Sequence, residues 1–294
     1  MNIAFIGVGN MGSRMAARLI EAGNNVVVFD PNIDAVNKLV ELGGSKAISP
    51  EKAATDVEFI LLSLPNPKIL EQAICGEDGI LRSAKEGAVV IDFSTVDPET
   101  TKKMAQKCAD RKVEFMDSPV SGGVIGAETG KLVLMIGGAT ETIEKSKNVL
   151  NEISLKIVHC GEVGTGQLTK LSHNLLTAIN TVALGEVLTA SVKAGANLNV
   201  LCEVFTAGLA GSKMLDYFPK TFFTEERPAN FAIDLMHKDI SLCLNEFSNY
   251  SMPLGQIVLQ IYNAARLSGL GKKDSTSVNE LYESLFDIRL NQKN

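Results

Sequence analysis

Gly7-Val8-Gly9-Asn10-Met11-Gly12 follows the apolar run Asn2–Ile6 and leads into the amphipathic stretch Met11–Glu21. Three glycines so spaced give a tight turn, close backbone approach to a pyrophosphate, and tight packing of helix on strand. The helix start then offers N–H groups and a positive dipole end to phosphates. Gly7, Gly9, Asn10, Met11 and Gly12 are therefore candidate cofactor contacts. Asp30 closes the next apolar run, Asn25–Phe29. About 20 residues beyond the glycines is where a carboxylate accepts the ribose hydroxyls of a dinucleotide. A carboxylate there repels a 2′-phosphate, and Pro31-Asn32 supply no cation, so NAD is expected over NADP. Arg14 and Lys38, at helical positions, read as solvated surface charges.

Two further segments, Ser63-Leu64-Pro65-Asn66 and Asp92-Phe93-Ser94-Thr95, close apolar runs. Ligands of open α/β sheets collect at the carboxyl ends of strands, so Leu64, Pro65 and Thr95 should border the cofactor. The same residues also read as strand termination by Pro65 and helix capping by Thr95 or Asp97. Asp117-Ser118-Pro119-Val120-Ser121-Gly122-Gly123 and its continuation to Gly130 read as a flexible loop rich in exposed N–H groups. Such a nest suits a carboxylate, but composition alone does not make it a site. Lys170 and Asn174 stand four apart on a helical pattern and share a face. A lysine on an otherwise apolar helix is partly desolvated, which lowers its pKa toward acid–base range; equally, it can snorkel to the surface. His237-Lys238-Asp239 alone reads as surface charge. The three histidines and five cysteines show no metal-ligand spacing and no CxxC pair, so no metal site and no disulfide framework are expected, and a reducing compartment is.

The elements that must position these residues follow from periodicity. Strand-like runs are Asn2–Ile6, Asn25–Phe29, Glu58–Leu62, Ala88–Asp92, Val113–Met116, Lys131–Ile136 and Lys156–Cys160. Amphipathic stretches between them imply a largely parallel sheet with helices on both faces. From Gly164 apolar positions recur at helical spacing through Leu168, Leu171, Leu175, Ile179, Val182 and Leu188. A first helix over 167–194 would be roughly 42 Å long, apt to pass along a domain boundary. Gly195, Gly208, Gly211, Pro219, Pro228, Pro253 and Gly269 punctuate the helices that follow, and Asn291–Asn294 reads as a frayed end. Two domains are expected: 1–163, binding the nucleotide, and 164–294, helical. Of the 294 residues 45 % are apolar and 21 % charged, an ordinary globular balance. Residues 1–163 carry 17 basic and 22 acidic groups, residues 164–294 carry 11 and 12. Neither half is basic, so no nucleic-acid or anionic-membrane partner is expected. No signal peptide is expected at the N-terminus, and the uninterrupted apolar stretches fall short of a spanning helix. A soluble, cytoplasmic protein is expected.

These blocks, in this order and spacing, resemble the β-hydroxyacid dehydrogenase family, the group holding 3-hydroxyisobutyrate dehydrogenases, tartronate semialdehyde reductases and 2-(hydroxymethyl)glutarate dehydrogenases. The resemblance covers essentially the whole chain. It rests on Gly7–Ala16, Asp117–Gly123, Gly164-Thr165-Gly166 with Lys170 and Asn174, and Lys238-Asp239. It implies a Rossmann-type doubly wound sheet followed by an all-helical domain for substrate and oligomerisation, with the active site between them. It further implies that Lys170 is the general acid/base of an NAD-dependent interconversion of a short β-hydroxy acid and its semialdehyde. Ser121, Gly122 and Gly123 would hold the substrate carboxylate, Asn174 would orient the reacting oxygen, and Thr95 and Lys238 would close on the nicotinamide end. A homo-oligomer, dimer or tetramer, is expected. The competing readings are a non-catalytic dinucleotide sensor and an imine reductase; the retained Lys170 counts against both.

Overall fold

A computed structural model of the chain describes residues 1–291. All of the expected frayed end except Asn291 lies outside the described residues. Two compact units divide the chain, Met1–Lys170 and Leu171 onward.

The first unit is built on one nine-stranded sheet. Its strands are β1 (Asn2–Ile6), β2 (Asn25–Phe29), β3 (Ser45–Lys46), β4 (Phe59–Leu62), β5 (Val89–Asp92), β6 (Glu114–Asp117), β7 (Val120–Ser121), β8 (Leu132–Gly137) and β9 (Ser154–Gly161). They lie in the order β3-β2-β1-β4-β5-β6-β8-β7, with β9 beside β8. Strands β1 to β6 pair parallel, whereas β8 runs antiparallel to β6 and β7 and parallel to β9. The chain winds outward from β1 to β3 and returns to β4, so strand order reverses between β1 and β4. Ligands of such sheets bind at that reversal.

Alternation along the strands feeds two cores. Ile3, Phe5, Val26, Val28, Phe59, Leu61, Val89 and Ile91 face one side. There they meet Met15, Ala16 and Leu19 of α1 (Gly12–Glu21), Val36 and Leu39 of α2 (Ile33–Glu41), and, further along the chain, Val149 and Leu150. Ala4, Ile6, Ile60, Leu62 and Val90 face the other side. They meet α3 (Pro50–Ala53), α4 (Pro67–Cys75) and α5 (Pro98–Ala109) through Ala53, Leu70, Ile74, Met104 and Cys108. The expected loop from Asp117 to Gly130 is more ordered than its composition suggested. It holds β7 and a short helix, α6 (Gly123–Thr129), before α7 (Thr140–Ile153).

A single helix, α8 (Thr165–Lys193), opens the helical part, followed by α9 (Leu198–Ala207), α10 (Lys213–Thr221), α11 (Ile233–Glu246), α12 (Pro253–Ala265) and α13 (Glu280–Phe286). At 29 residues α8 is about 44 Å long. By length and composition it could cross a membrane, with a mean hydropathy of 1.5 over 18 residues. The sequence reading missed this because threonine, asparagine and glycine break its apolar runs. Packing in the second unit buries part of that apolar surface, whereas Leu176 and Val187 remain exposed. Leu171, Leu175, Ala178 and Val182 pack with Ile233, Met236 and Ile240 of α11 and Val258 and Tyr262 of α12. Leu184 and Leu188 join Leu198, Leu215, Phe218 and Phe222 in a second cluster. Pro219, expected to separate helices, lies inside α10.

Candidate active site

The glycine loop is fixed by contacts that exclude side chains. Gly7 sits at φ +88° and donates its N–H to the Phe29 carbonyl at 2.9 Å, joining the ends of β1 and β2. A Cβ on Gly12 would collide with the Gly7 carbonyl. At Gly9, by contrast, a Cβ would project into open space. Helix α1 starts after Met11 with no side-chain cap. Its neighbours α2, α3, α4 and α5 are capped by Asn32, Ser49, Asn66 and Asp97. Within this first turn the Ser13 N–H donates to the Gly9 carbonyl at 2.9 Å, and the positive dipole end of α1 stands beside the open space at Gly9. These residues fit a dinucleotide pyrophosphate. Asp30, directly after β2, is held against the same loop: its carboxylate accepts the Val8 N–H at 2.9 Å and the Asn32 N–H at 2.7 Å.

The ends of β4 and β5 adjoin it. A Cβ on Gly7 would lie 2.9 Å from the Leu64 side chain. The Leu64 N–H donates to Ser94 Oγ at 2.8 Å, and the Ser94 N–H donates to Asp92 Oδ1 at 2.9 Å. Leu64, Pro65 and Thr95 thus lie in one row of strand ends with Gly7 and Asp30. Of the two candidate caps of α5, Asp97 makes the bond, accepting the Thr100 N–H at 2.7 Å. Capping is therefore not the reason for Thr95.

The start of α8 is anchored to this unit. Asp117, at the end of β6 and fully buried, accepts the N–H of Gly164 at 2.7 Å and of Gln167 at 2.8 Å. Burial pushes its carboxyl up to about 6, against the opposing pull of these N–H groups. A Cβ on Gly166 would lie 2.6 Å from Asp117 Oδ2, so glycine is what admits the carboxylate. Lys170 stands on the next turn and is 8 % exposed, which excludes the snorkelling alternative. Ser121 ends β7, Gly122 precedes α6 and Gly123 begins it. These three are not in the row of parallel strand ends; they stand on the antiparallel edge, and α6 reaches α1 through Glu128 and Arg14 at 3.9 Å.

In the second unit, Asn174 is buried and donates through Nδ2 to Asp239 Oδ2 at 2.6 Å. Asp239 also meets the Lys238 ammonium at 3.0 Å, so the two candidates Asn174 and Lys238 share one carboxylate. His173 Nδ1 lies 3.0 Å from Asn174 Oδ1. Arg227 is committed within the same unit: its guanidinium donates twice to Glu283, at 2.8 and 2.7 Å. Among the described residues no three His, Cys, Asp or Glu side chains form a metal-binding group.

Sequence reasoning missed Asp117 as an anchor, and Ser94 and Gln167 as connectors. Asp117 and Ser94 stood inside the quoted segments, and Gln167 opened the expected 167–194 helix. Their partners are 30 to 73 positions away, so no local spacing could pair them.

Comparison with known proteins agrees with this architecture. Residues 2–161 match the family described as the NAD binding domain of 6-phosphogluconate dehydrogenase. Residues 164–282 match NAD-binding of NADP-dependent 3-hydroxyisobutyrate dehydrogenase. The chain is 34 % identical to 2-(hydroxymethyl)glutarate dehydrogenase of Eubacterium barkeri, over 98 % of this chain and 97 % of that one. It is 35 % identical to 3-hydroxyisobutyrate dehydrogenase of Pseudomonas aeruginosa, over 96 % and 98 %. The structure of Mycobacterium tuberculosis 3-hydroxyisobutyrate dehydrogenase with L-serine superposes with a TM-score of 0.89 at 28 % identity, covering 95 % and 98 %. An imine reductase of Streptomyces aurantiacus shares the fold alone, with a TM-score of 0.65 at 18 % identity. With an NAD(P)-binding sheet, a helical C-terminal part and relatives matched from end to end, the chain belongs to the β-hydroxyacid dehydrogenase family.

Proposed function

We propose that this protein is an NAD-dependent dehydrogenase that interconverts a short β-hydroxy acid and its semialdehyde. The observation that carries the reading is the buried Lys170, one turn beyond a helix start tied to the ends of β5 and β6. Those ends belong to the same row that bears the glycine loop and Asp30. Bound at that loop, a nicotinamide dinucleotide supplies the hydride acceptor for oxidation and the donor for reduction. The uncapped start of α1, with Gly7, Gly9, Asn10, Met11 and Gly12, would hold its phosphates, and Leu64, Pro65, Thr95 and Lys238 would contact the rest of it. Asp30 accepts the ribose hydroxyls, and its charge favours NAD over NADP.

The chemistry asked of Lys170 is a proton transfer at the substrate hydroxyl. As a C–H bond of the alcohol carbon yields its hydride, the lysine amine takes the O–H proton and the C=O forms. In the reverse direction the ammonium returns that proton to the oxygen. Asn174, held by Asp239, donates to the same oxygen, and the N–H groups and hydroxyl of Ser121, Gly122 and Gly123 hold the carboxylate. The substrate is therefore a small carboxylate bearing a β-hydroxyl. The two-domain division at 163/164, assembly as a homo-oligomer through the helical part and a cytoplasmic location complete the proposal.

The test is absorbance at the reduced-nicotinamide band. The protein is mixed with NAD or NADP and a panel including 3-hydroxyisobutyrate, 2-(hydroxymethyl)glutarate and L-serine, and with semialdehydes in the reverse direction. Reduction of NAD by at least one 3-hydroxy acid is expected. Silence across the panel in both directions overturns the reading.

A further inference from the structure

Gln167 is fully buried, yet nothing in the chemistry above uses it. Its side-chain amide spans more than 70 positions of sequence. Nε2 donates to the Ser94 carbonyl at 2.9 Å, and Oε1 accepts the Val96 N–H at 3.2 Å. The two backbone groups flank Thr95, so one amide grips the chain on both sides of that residue. The orientation is unique. Flipping the amide would set Oε1 against the Ser94 carbonyl and Nε2 against the Val96 N–H, leaving two buried groups unpaired.

The backbone of the same residue is held independently. The Gln167 N–H donates to Asp117 Oδ2 at 2.8 Å. Gln167 is thus pinned by its main chain to the end of β6 and by its side chain to the segment after β5. Lys170 follows three residues later, on the neighbouring position of the next turn. A helix free to rotate or slide at its first turn would carry Lys170 with it. Two attachments at different strand ends remove both freedoms.

We propose that Gln167 is a positioning residue, one that fixes Lys170 relative to the backbone around Thr95. The proposal rests on the functional reading above for the roles of Lys170 and Thr95, but its structural part stands by itself. Misplacement of a reacting group by about 1 Å can cost on the order of 10²-fold in rate. Loss of this amide should therefore appear in turnover rather than in substrate affinity.

The experiment compares wild type with Gln167→Leu and Gln167→Glu, using hydrogen–deuterium exchange at the Val96 amide and steady-state kinetics. Leucine removes both side-chain bonds; glutamate keeps an acceptor for Val96 but sets a carboxylate against the Ser94 carbonyl. Gln167→Leu should speed Val96 exchange at least tenfold while exchange of the β1 and β4 amides stays protected. Its kcat should fall about 10- to 100-fold, with KM for the hydroxy acid within about threefold. Gln167→Glu should retain more of the Val96 protection than leucine and still lose kcat. A folded leucine variant with deprotected Val96 and wild-type kcat overturns the proposal, as does unchanged Val96 protection. Should the leucine variant fail to fold, the glutamate variant carries the same kinetic test. An inert wild type would instead remove the functional reading, and the exchange data would still decide whether Gln167 holds this backbone.

Discussion

The carboxylate of Asp117 accepts the backbone N–H of Gly164 at 2.7 Å, joining the last residue of β6 to a point 47 positions further along the chain. With Gln167 as its second donor, it stands at the positive end of the α8 dipole. It is also fully buried, so desolvation opposes the charge that the helix start favours.

The balance makes Asp117 a source of pH-dependent stability. Burial raises its carboxyl from its ordinary 3.8 to about 6, so the folded state holds the proton more tightly than the unfolded chain. That contribution is complete below about pH 4 and disappears as pH rises through 6, at about 3 kcal/mol for the two-unit difference. Urea unfolding of wild type and Asp117→Asn between pH 4 and 7 checks it. The wild-type curve should decline relative to the variant across that window; parallel curves would contradict the titration.

Lys170→Ala removes the proposed proton carrier without touching the glycine loop. Turnover should fall by about 10²- to 10⁴-fold, while the dissociation constant for NAD, measured by calorimetry, stays within about threefold. Near wild-type oxidation rates would remove Lys170 from the mechanism.

Asp30→Ser should erode cofactor discrimination. The substitution removes the charge and the bonds proposed to the ribose, and charged hydrogen bonds are worth about 1.5–3 kcal/mol. The ratio of kcat/KM for NAD over NADP should drop at least about tenfold. An unchanged ratio would mean that some other residue sets the preference.

Arg227 and Glu283 test the second unit separately. Their paired hydrogen bonds are buried, and the guanidinium lies 4.0 Å from the centre of the Phe222 ring. Arg227→Ala strands a buried carboxylate and should cost about 3–5 kcal/mol in urea unfolding, whereas Arg227→Leu with Glu283→Leu should recover much of that. A single variant as stable as wild type would show that the pair adds nothing.

Where the fold depended on periodicity, it could be read from the chain. β1 and β2 have the expected ends, and the expected 167–194 helix is Thr165–Lys193. β3 and β7 escaped because two residues cannot display an alternation. The glycines and serines of 117–130 suggested a loop, yet α6 forms there with Gly126 and Ala127 buried, a case of tertiary packing overriding weak helix propensity. The placement of Gly7 to Gly12 between β1 and α1, and of Asp30 after β2, was legible because strand, turn and helix are contiguous. Asp117, Ser94 and Gln167 were not, because each acts through a partner that only the folded sheet brings near.

The anchoring of α8 bears on how such enzymes can be recombined. The two matched families part between residues 161 and 164, which invites a splice there when grafting another relative's helical half. A junction at that place would hand the anchoring residues Gly164, Gly166 and Gln167 to the donor while Asp117, Ser94 and Val96 stayed with the recipient. Splicing after Lys170 keeps donor and acceptor of every one of those bonds in a single parent. Chimeras cut at the later point should inherit Lys170, the proposed proton carrier, together with the bonds that anchor its helix, and exchange only the helical half that follows.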